Sequence, residues 1–403
     1  MDDSIYRLKP ADALTLAVLA LLAFGTVMVL SAGMNVQDSA GWQFGSQATR
    51  HLCYAVLAFL TYFTLSQTDY ARLLKPGNRL RSSPLAWGML VAVLLCGLVL
   101  VPGVGVEVNG ARRWLRLGFL QLQASEVAKW MTVVFLAWWL TSRPVDLSRF
   151  FKGFLPTCVP VAVVCLLVVL QDFGTAALIG ACALAMFVAG RVRAWHLLMG
   201  LVPALALAAV FVAGTPYRLA RMTSFVDPWA DPEGRGYHMV QSLMSFASGG
   251  LTGRGLGAGV QKLGYLPEDT TDFIFAVICE ETGLFGALLV IGLYAVVLGV
   301  AWGAIRRTPD GFGRMLAFGV AVMLGLQACI NMAVATVSVP TKGMSLPLIS
   351  AGGSGLVLTC AALGLLASVL RHPHGHQTVA RAVTPDLVRE WTTPGPMVPT
   401  GSH

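Results

Sequence analysis

The sequence predicts an all-α polytopic membrane protein with about ten transmembrane helices and one long, partly helical extracytoplasmic loop. Of its 403 residues, 56% are hydrophobic and only 12% are charged, and the mean hydropathy is +0.70. A soluble domain carries roughly 25% charged residues, so this composition excludes a large water-soluble enzyme. Apolar runs long enough to cross a bilayer also recur along the whole chain.

Ten apolar runs define the predicted spans, since a spanning helix needs about 20 apolar residues. They cover roughly residues 13–33, 50–66, 84–103, 121–141, 154–170, 174–190, 195–214, 272–303, 313–336 and 352–370. The eighth run is longer than a bilayer requires, so we expect it to tilt or to project from the membrane. Residues 1–371 are thus predicted to form a single transmembrane domain, whose large outer loop covers residues 215–271.

The distribution of Lys and Arg predicts the orientation. Most of these residues lie in short connections on one side, which the positive-inside rule identifies as cytoplasmic, together with both termini. The tail 372–403 is rich in Pro, Thr and Gly and is predicted to be a disordered cytoplasmic segment. Because the net charge of +8 comes from Lys and Arg residues that are scattered through short connections between apolar runs, it does not indicate nucleic-acid binding. The eight cysteines all fall in apolar runs, without the short spacings of a metal site.

A set of cations lies on the outer side, against the topological preference. These residues are Arg112, Arg113, Arg116, Arg218, Arg221, Arg235, Arg254, Lys262 and Lys342. Two explanations stay open. The cations bind an anionic ligand, such as a diphosphate, at the outer membrane face. Alternatively, they pair with lipid headgroups or with the nearby acidic residues Asp227, Asp231, Glu233, Glu268 and Asp269.

Asp272 stands where the outer loop meets the eighth predicted span, in the segment LPEDTTDFIFAVICEETG (266–283). A carboxylate at this boundary lies at the membrane surface, at the level of a lipid-linked headgroup. Asp is also favoured at helix N-caps, and Phe273 begins an apolar helix. The spacing is therefore consistent with a catalytic role and with a capping role, which do not exclude each other.

Four ionisable residues fall inside predicted spans: Glu126 and Lys129 in the fourth, and Glu280 and Glu281 in the eighth. A charge in the hydrocarbon costs about 2.5–3.5 kcal/mol, so these side chains are predicted to face the protein interior and to pair. We interpret them as structural ion pairs, in which Lys129 meets Glu126 or a glutamate of the eighth span. A proton or substrate path is the alternative.

The segment VPTKGMSLPLISAGGSG (339–355) combines two prolines, an isolated Lys342 and a Gly-Gly-Ser helix start that ends at Ser354. Backbone N–H groups at a helix start, with a lysine nearby, can hold an anion. A re-entrant turn broken by proline explains the same pattern, so both interpretations stay open.

Several blocks of sequence are specific enough to indicate a family. They are NGARRWLRLGFLQLQASEVAK (109–129), QDFGTAALI (171–179), YRLARMTSFVDPWADPEGRGYHMVQS (217–242), GRGLGAGVQKLGYLPEDTTDFIFAVICEETG (253–283) and the 339–355 segment. Over nearly all of residues 10–371 the chain resembles the SEDS family (shape, elongation, division and sporulation) of bacterial peptidoglycan polymerases. Asn109-Gly110 and Pro340-Thr341-Lys342-Gly343 resemble the division branch, FtsW, more than the elongation branch, RodA.

Some positions depart from the family pattern. Ala124 replaces a proline, Asp172 lacks its usual preceding proline, Asp269-Thr270 replaces Ala-His, His238 replaces a glutamine, and Ala351 replaces a tyrosine. None of these changes removes a residue to which chemistry is assigned.

The resemblance implies a substrate and a reaction. The substrate would be lipid II, a disaccharide-pentapeptide on undecaprenyl diphosphate, whose α-linked donor sugar becomes β-1,4-linked in one inverting displacement. The aspartate essential to the family corresponds to Asp272, which would deprotonate the acceptor hydroxyl. Diphosphate is a good leaving group that needs stabilisation of charge rather than an acid. The candidates to bind the diphosphates are Arg113, Lys342 and Arg218, and those for the rest of the site are Arg112, Trp114, Glu268 and Ser354.

The resemblance also implies a setting. The polymerase would act in the bacterial inner membrane at the division septum, with a class B penicillin-binding protein transpeptidase, other division proteins and membrane lipids as partners. No cofactor is assigned; a divalent cation, Mg²⁺ or Mn²⁺, would assist the leaving group, although no cluster in the sequence identifies a metal site. Two other functions stay open, a transporter that flips the same precursor and a non-catalytic division scaffold.

Overall fold

The computed structural model describes residues 9–33, 47–74, 83–108, 111–118, 120–142, 147, 149–214, 221, 224–263 and 265–372. These residues are mostly helical, which confirms the predicted fold class. Ten long helices correspond to the ten predicted spans, and one shorter helix, α8, lies in the outer loop. The helices are α1 (Pro10–Ala32), α2 (Gln47–Gln67), α3 (Pro84–Leu100), α4 (Ala124–Ser142), α5 (Leu155–Val169), α6 (Phe173–Ala189), α7 (Ala194–Ala213), α8 (Tyr237–Gly249), α9 (Ile274–Arg307), α10 (Gly311–Ala335) and α11 (Ser354–Arg371).

Length and composition identify the membrane-crossing helices. Six of them, α1, α5 with its preceding turn, α7, α9, α10 and α11, are long and apolar enough to cross a bilayer. Helices α3 and α6 are also apolar but shorter. The turn before α5 is π-helical and covers Phe150–Phe154. The chain is therefore a multi-pass membrane protein; the predicted tail from residue 373 onwards lies outside the described residues.

Helix α4 is buried among α3, α6, α10 and α11. Trp138 is only 1% exposed, and it packs edge-on against Trp139 with 6.0 Å between the ring centroids. Trp139 donates from Nε1 to the Thr157 hydroxyl of α5 at 2.9 Å, which satisfies the one polar atom of the indole. The buried helix thus provides a fixed base for the outer segment that precedes it.

A three-stranded antiparallel sheet lies between α3 and α4, in the order β1 (Gly105–Val108), β2 (Ala111–Leu117), β3 (Leu120–Gln123). This sheet was not predicted. β3 occupies residues that were assigned to the fourth span, and the observed helix α4 begins at Ala124 rather than at residue 121. Leucines occupy alternate positions in both strands, 115 and 117 in β2 and 120 and 122 in β3. This alternation is the period-2 pattern of a strand. Gly118, at φ +65°, makes the turn between them.

The segment between α10 and α11 packs into the helices largely without regular structure. It approaches α1 so closely that a Cβ atom added to Gly25 would lie 2.6 Å from the Cα of Ile349. From α10, Asn331 donates through Nδ2 to the Met344 carbonyl at 2.7 Å. These contacts fix the part of the chain that carries Lys342.

Helix α9 spans 34 residues, about 50 Å at 1.5 Å per residue, so it is longer than a bilayer requires. It is interrupted at Gly283, whose φ of +65° and ψ of −158° are not helical. A Cβ atom on Gly283 would overlap the backbone nitrogen of Gly253 in the outer loop. The loop is therefore packed directly on the outer part of α9.

Candidate active site

A cavity of about 860 Å³ opens among β2, α6, α8, the residues before α9 and the segment before α11. This volume falls within the ~300–1,000 Å³ of typical small-ligand sites. The charged residues that line it are Arg113, Glu126, Arg221, Arg235, Glu268, Asp272 and Lys342. Among the uncharged ones are Trp114, Gln123, Thr175, His238, Phe273 and Gln327. The fold thus brings five predicted site residues together from three distant segments: Arg113, Trp114, Glu268, Asp272 and Lys342.

The backbone around Asp272 is held on two sides. Its carbonyl oxygen accepts from Nδ2 of Asn331 at 2.9 Å, and the preceding carbonyl, of Thr271, accepts from the Ser350 hydroxyl at 2.6 Å. Helix α9 begins at Ile274 with Phe273 as its N-cap, and no side chain caps it. The capping role considered for Asp272 is therefore wrong. Within the described part of the chain its carboxylate makes no hydrogen bond or ion pair, so it is available to a ligand.

The surroundings of Asp272 disfavour its ionised form. Burial raises the pKa of its carboxyl group to about 7, and the negative charges of Glu268 and Asp172 act in the same direction. The positive charges of Arg113 and Arg221 oppose this shift. A carboxylate whose pKa lies near neutral pH is better matched to taking a proton from a hydroxyl than an ordinary aspartate.

Arg113 is positioned by the residues that open α6. Its Nε atom donates to the Gln171 carbonyl at 2.9 Å, and its Nη1 atom lies 3.5 Å from Oδ2 of Asp172. Asp172 also caps α6, since its carboxylate accepts from the backbone N–H of Thr175 at 3.0 Å and from the Thr175 hydroxyl at 2.9 Å. Asp172 was not among the site residues predicted from the sequence. Asp-x-x-Thr before an apolar run is typical of a helix cap. Because capping alone explains the residue, the sequence pattern gives no reason to expect its contact with Arg113.

Lys342 reaches the cavity from the segment before α11. Its Nζ atom lies 5.5 Å from the centre of the Phe173 ring. Burial lowers the pKa of its ammonium group, and the charge of Asp172 opposes that shift. The next residue, Gly343, lies between Asp272 and Arg113. A Cβ atom there would be 3.2 Å from Oδ2 of Asp272 and 3.9 Å from Nη1 of Arg113.

Two other predicted substrate-binding residues, Arg112 and Ser354, do not join this group. Arg112 is turned towards Glu107 of β1, with 3.3 Å between Nε and Oε2, and it is not among the cavity-lining residues. Ser354 accepts the backbone N–H of Gln123 at 3.0 Å through its hydroxyl, which joins α11 to β3. Arg218 lies outside the described residues.

The four intramembrane charges belong to two separate groups. Lys129 donates from Nζ to Glu126 at 2.6 Å and to Gln327 at 2.7 Å. Glu126 and Gln327 line the cavity, so this pair forms part of its floor. The glutamates of α9 pair with other residues: Glu281 lies 2.7 Å from the Nζ atom of Lys262.

The outer loop supplies most partners of these two glutamates. Glu280 accepts the backbone N–H of Val260 at 2.9 Å, and its Oε1 atom lies 3.9 Å from Nη1 of Arg254. Lys262 and Arg254 therefore hold the loop to α9 and do not line the cavity. Their acidic partners differ from the outer-loop carboxylates predicted from the sequence, because Glu280 and Glu281 were assigned to the membrane interior.

The cavity also contains residues to which no individual role was assigned. Arg221 and Arg235 were noted only as members of the outer cation set, and His238 only as a departure from the family pattern. Among the described residues, no three His, Cys, Asp or Glu side chains are grouped so that they could hold a metal ion.

Two curated relatives carry the name probable peptidoglycan glycosyltransferase FtsW. The relative from Coxiella burnetii is 40% identical over 360 residues, which cover 88% of this chain and 94% of the relative. The relative from Thioalkalivibrio sulfidiphilus is 43% identical over 364 residues, which cover 89% of this chain and 88% of the relative.

Two solved structures resemble the whole fold. A chain from a study of the structural coordination of polymerization and crosslinking by a peptidoglycan synthase complex has a TM-score of 0.71 and 31% identity, covering 90% of this chain and 97% of its own. The rod shape determining protein RodA of Thermus thermophilus has a TM-score of 0.64 and 29% identity, covering 90% and 96%.

A family model also covers most of the chain. A family model for FtsW, RodA and SpoVE, described as cell cycle protein, matches residues 12–375. That range contains the ten long helices, apart from the first two residues of α1, together with the outer sheet and the cavity. The chain therefore belongs to the FtsW/RodA/SpoVE family, the SEDS family that its sequence resembles.

Proposed function

We propose that this chain is a peptidoglycan glycosyltransferase of the division type, which polymerises lipid II into β-1,4-linked glycan strands at the outer face of the cytoplasmic membrane. One observation carries the proposal. Asp272 is a carboxylate with a near-neutral pKa and no partner in the described part of the chain, and it shares a cavity with Arg113 and Lys342. Curated relatives of matching length are named for the same activity.

The proposed chemistry is a single inverting displacement. Asp272 takes the proton of the acceptor hydroxyl, and the resulting oxygen attacks the anomeric carbon of the donor sugar. The α bond from that carbon to the diphosphate breaks, and undecaprenyl diphosphate leaves with the bonding electrons. Attack on the face opposite to the leaving group gives the β linkage. One base is sufficient, since the diphosphate needs no proton to depart.

The leaving group gains negative charge as the bond breaks. Arg113 and Lys342 lie on the wall of the cavity and are assigned to stabilise this charge, with Arg218 as a further proposed contact. Trp114 and Glu268 are assigned to the wall that holds the sugars. A divalent cation, Mg²⁺ or Mn²⁺, carried on the diphosphate oxygens would add to the same stabilisation.

The setting of the enzyme is also proposed. The resemblance to a chain from a peptidoglycan synthase complex supports a penicillin-binding protein as partner, and we assign it to class B, whose transpeptidase cross-links the new strands. Other division proteins and membrane lipids complete the partner set. The enzyme acts at the septum of the inner membrane, with both termini in the cytoplasm.

The test is polymer formation from lipid II by the purified protein and by its Asp272→Asn variant. We expect the parent to form glycan polymer and the variant to form none, because asparagine keeps the size of the side chain but cannot accept the proton. A matched control is Asp269→Asn, which changes a carboxylate of the same loop that does not line the cavity.

Each alternative gives a different result in this assay. A transporter or a scaffold forms no polymer in the parent protein. If a well-folded Asp272→Asn protein polymerised normally, Asp272 would not be the general base. Equal losses in the Asp269→Asn control would indicate a general disturbance of the loop.

A further inference from the structure

His238 lines the same cavity as Asp272, and the proposed mechanism gives it no role. It is the second residue of α8, a helix that is firmly seated on the membrane domain. The Ser242 hydroxyl donates to the Ala335 carbonyl at 2.6 Å, and a Cβ atom on Gly249 would overlap the Cys279 carbonyl. The packing of α8 therefore fixes the place of the imidazole at the cavity.

The ring of His238 is held in one plane by its aromatic neighbours, but its hydrogen-bonding groups are not all paired. It stacks on Phe273, with 6.1 Å between the ring centroids and 14° between the planes, and meets Tyr237 edge-on at 6.3 Å. Its Nδ1 atom is buried and has no hydrogen-bond partner among the described residues. Buried polar atoms are normally paired, so an unpaired nitrogen on a cavity-lining ring points to a partner supplied by a ligand.

The charges around His238 indicate which ligand group suits it. Burial lowers the pKa of its imidazole, Arg221 lowers it further, and Glu268 opposes the shift. Arg235 and Asp272 line the same cavity. The ring is therefore uncharged at neutral pH, with one nitrogen that donates and one that accepts. This combination suits a sugar hydroxyl, which also donates and accepts, whereas a diphosphate requires a cation.

We propose that His238 hydrogen-bonds a sugar hydroxyl of the lipid-linked substrate and thereby positions that sugar against Asp272, an inference that rests on the proposed function. The stack on Phe273 fixes the position of the imidazole relative to Asp272, because Phe273 adjoins Asp272 in the chain. The ring plane and the catalytic carboxylate are thus set by neighbouring residues of one rigid segment. His238 is a positioning residue, and the proton of the acceptor goes to Asp272.

Two substitutions separate hydrogen bonding from packing. His238→Phe keeps an aromatic ring on Phe273 and removes both nitrogens, while His238→Gln removes the ring and restores one donor and one acceptor. We expect His238→Phe to weaken lipid II binding about tenfold and to lower kcat/KM at least as much, as for the loss of one good hydrogen bond. His238→Gln should stay within about threefold of the parent. Binding is measured in an Asp272→Asn background, where no turnover interferes.

His196 offers a matched control for the substitution. It is also buried, its Nδ1 atom has no hydrogen-bond partner in the described part of the chain, and it stacks on Phe154 at 5.7 Å, but it does not line the cavity. His196→Phe should leave lipid II affinity unchanged. A normal His238→Phe protein beside an impaired His238→Gln protein would assign His238 to packing and overturn the inference. A parent without polymerase activity would contradict the proposed function alone, since the affinities would still decide the role of His238.

Discussion

Two clusters of buried charge flank the outer end of α9, and the protein satisfies them very differently. Glu281 accepts hydrogen bonds from Lys262 at 2.7 Å, from the Ser31 hydroxyl at 2.7 Å and from the Gly257 N–H at 3.1 Å. Asp272 lies only nine residues earlier in the sequence, yet no described residue contacts its carboxylate by a hydrogen bond or ion pair. The first carboxylate joins a loop to a helix, whereas the second has its binding positions open to a ligand.

The lysines of the two clusters repeat this contrast. Lys262 is 3% exposed, and its Nζ atom also donates to the carbonyl and hydroxyl oxygens of Ser31, each at 3.0 Å. For Lys342 the contact of the ammonium group within the described chain is the face of Phe173. Removing one partner of a buried ion pair destabilises the fold, whereas a buried charge without protein partners is available to a ligand. Matched substitutions in the two clusters test this distinction.

The largest expected effect is on folding, from Lys262→Met. The substitution leaves Glu281 buried without its cation, which typically costs about 3–5 kcal/mol in the free energy of unfolding. Thermal unfolding of the detergent-purified protein measures the loss, and Lys342→Met serves as the comparison. Equal stability of the two variants would abolish the contrast between the clusters.

The next effect is on catalysis, from Lys342→Met. We expect this variant to unfold near the temperature of the parent but to turn over roughly 10²–10³-fold more slowly at saturating lipid II. The reason is that a cation stabilises the leaving diphosphate more as the bond breaks than in the bound substrate. Arg113→Gln should behave in the same way. Turnover within about threefold of the parent, in stable proteins, would remove both residues from the catalytic assignment.

A third prediction concerns pH. The base must be ionised to take a proton, so activity should fall as the pH drops below the Asp272 pKa of about 7. From pH 7 to pH 5 we expect a decrease of roughly fiftyfold in kcat/KM, because the base is half ionised at its pKa. Because the charge of Glu268 raises this pKa, Glu268→Gln should move the midpoint to lower pH. A flat profile over this range in a stable protein would contradict the role of Asp272 as base.

The smallest effect is a gain in stability from Asp272→Asn. The folded pKa of Asp272 lies above the ordinary value of 3.8, so the native state binds its proton more tightly than the unfolded state does. The ionised carboxylate therefore destabilises the fold increasingly as the pH rises from about 4 to 7. Removing it should raise the free energy of unfolding at pH 8 and leave it almost unchanged at pH 4. A variant less stable than the parent at pH 8 would show that the charge is well satisfied.

The helices could be predicted from the sequence because hydropathy over 20 residues is a property of the local chain. The sheet was missed because β2 and β3 are short and lie beside a strongly apolar helix, whose signal extended over residues 121–123. The alternating leucines at 115, 117, 120 and 122 were the available evidence for strands.

The candidate site was predicted in part for a similar reason. Arg113 and Lys342 were identifiable as cations placed against the topological preference, and Asp272 as a carboxylate at the boundary between the outer loop and the eighth predicted span. Their proximity follows from packing between distant segments, which periodicity does not encode. Lys262 carries the same local signal as Lys342, and only the fold distinguishes a lysine that pairs with a helix glutamate from one that faces a cavity.

Gly343 has a consequence for the genetics of such an enzyme. An alanine there would place a methyl group 3.2 Å from the Asp272 carboxylate and displace it by a few tenths of an ångström. Small misplacements of reacting groups slow a reaction without unfolding the protein. A cell that makes both forms would hold fast and slow copies competing for one pool of substrate and partner. The defect should therefore scale with gene dosage, so the allele would be semidominant rather than recessive.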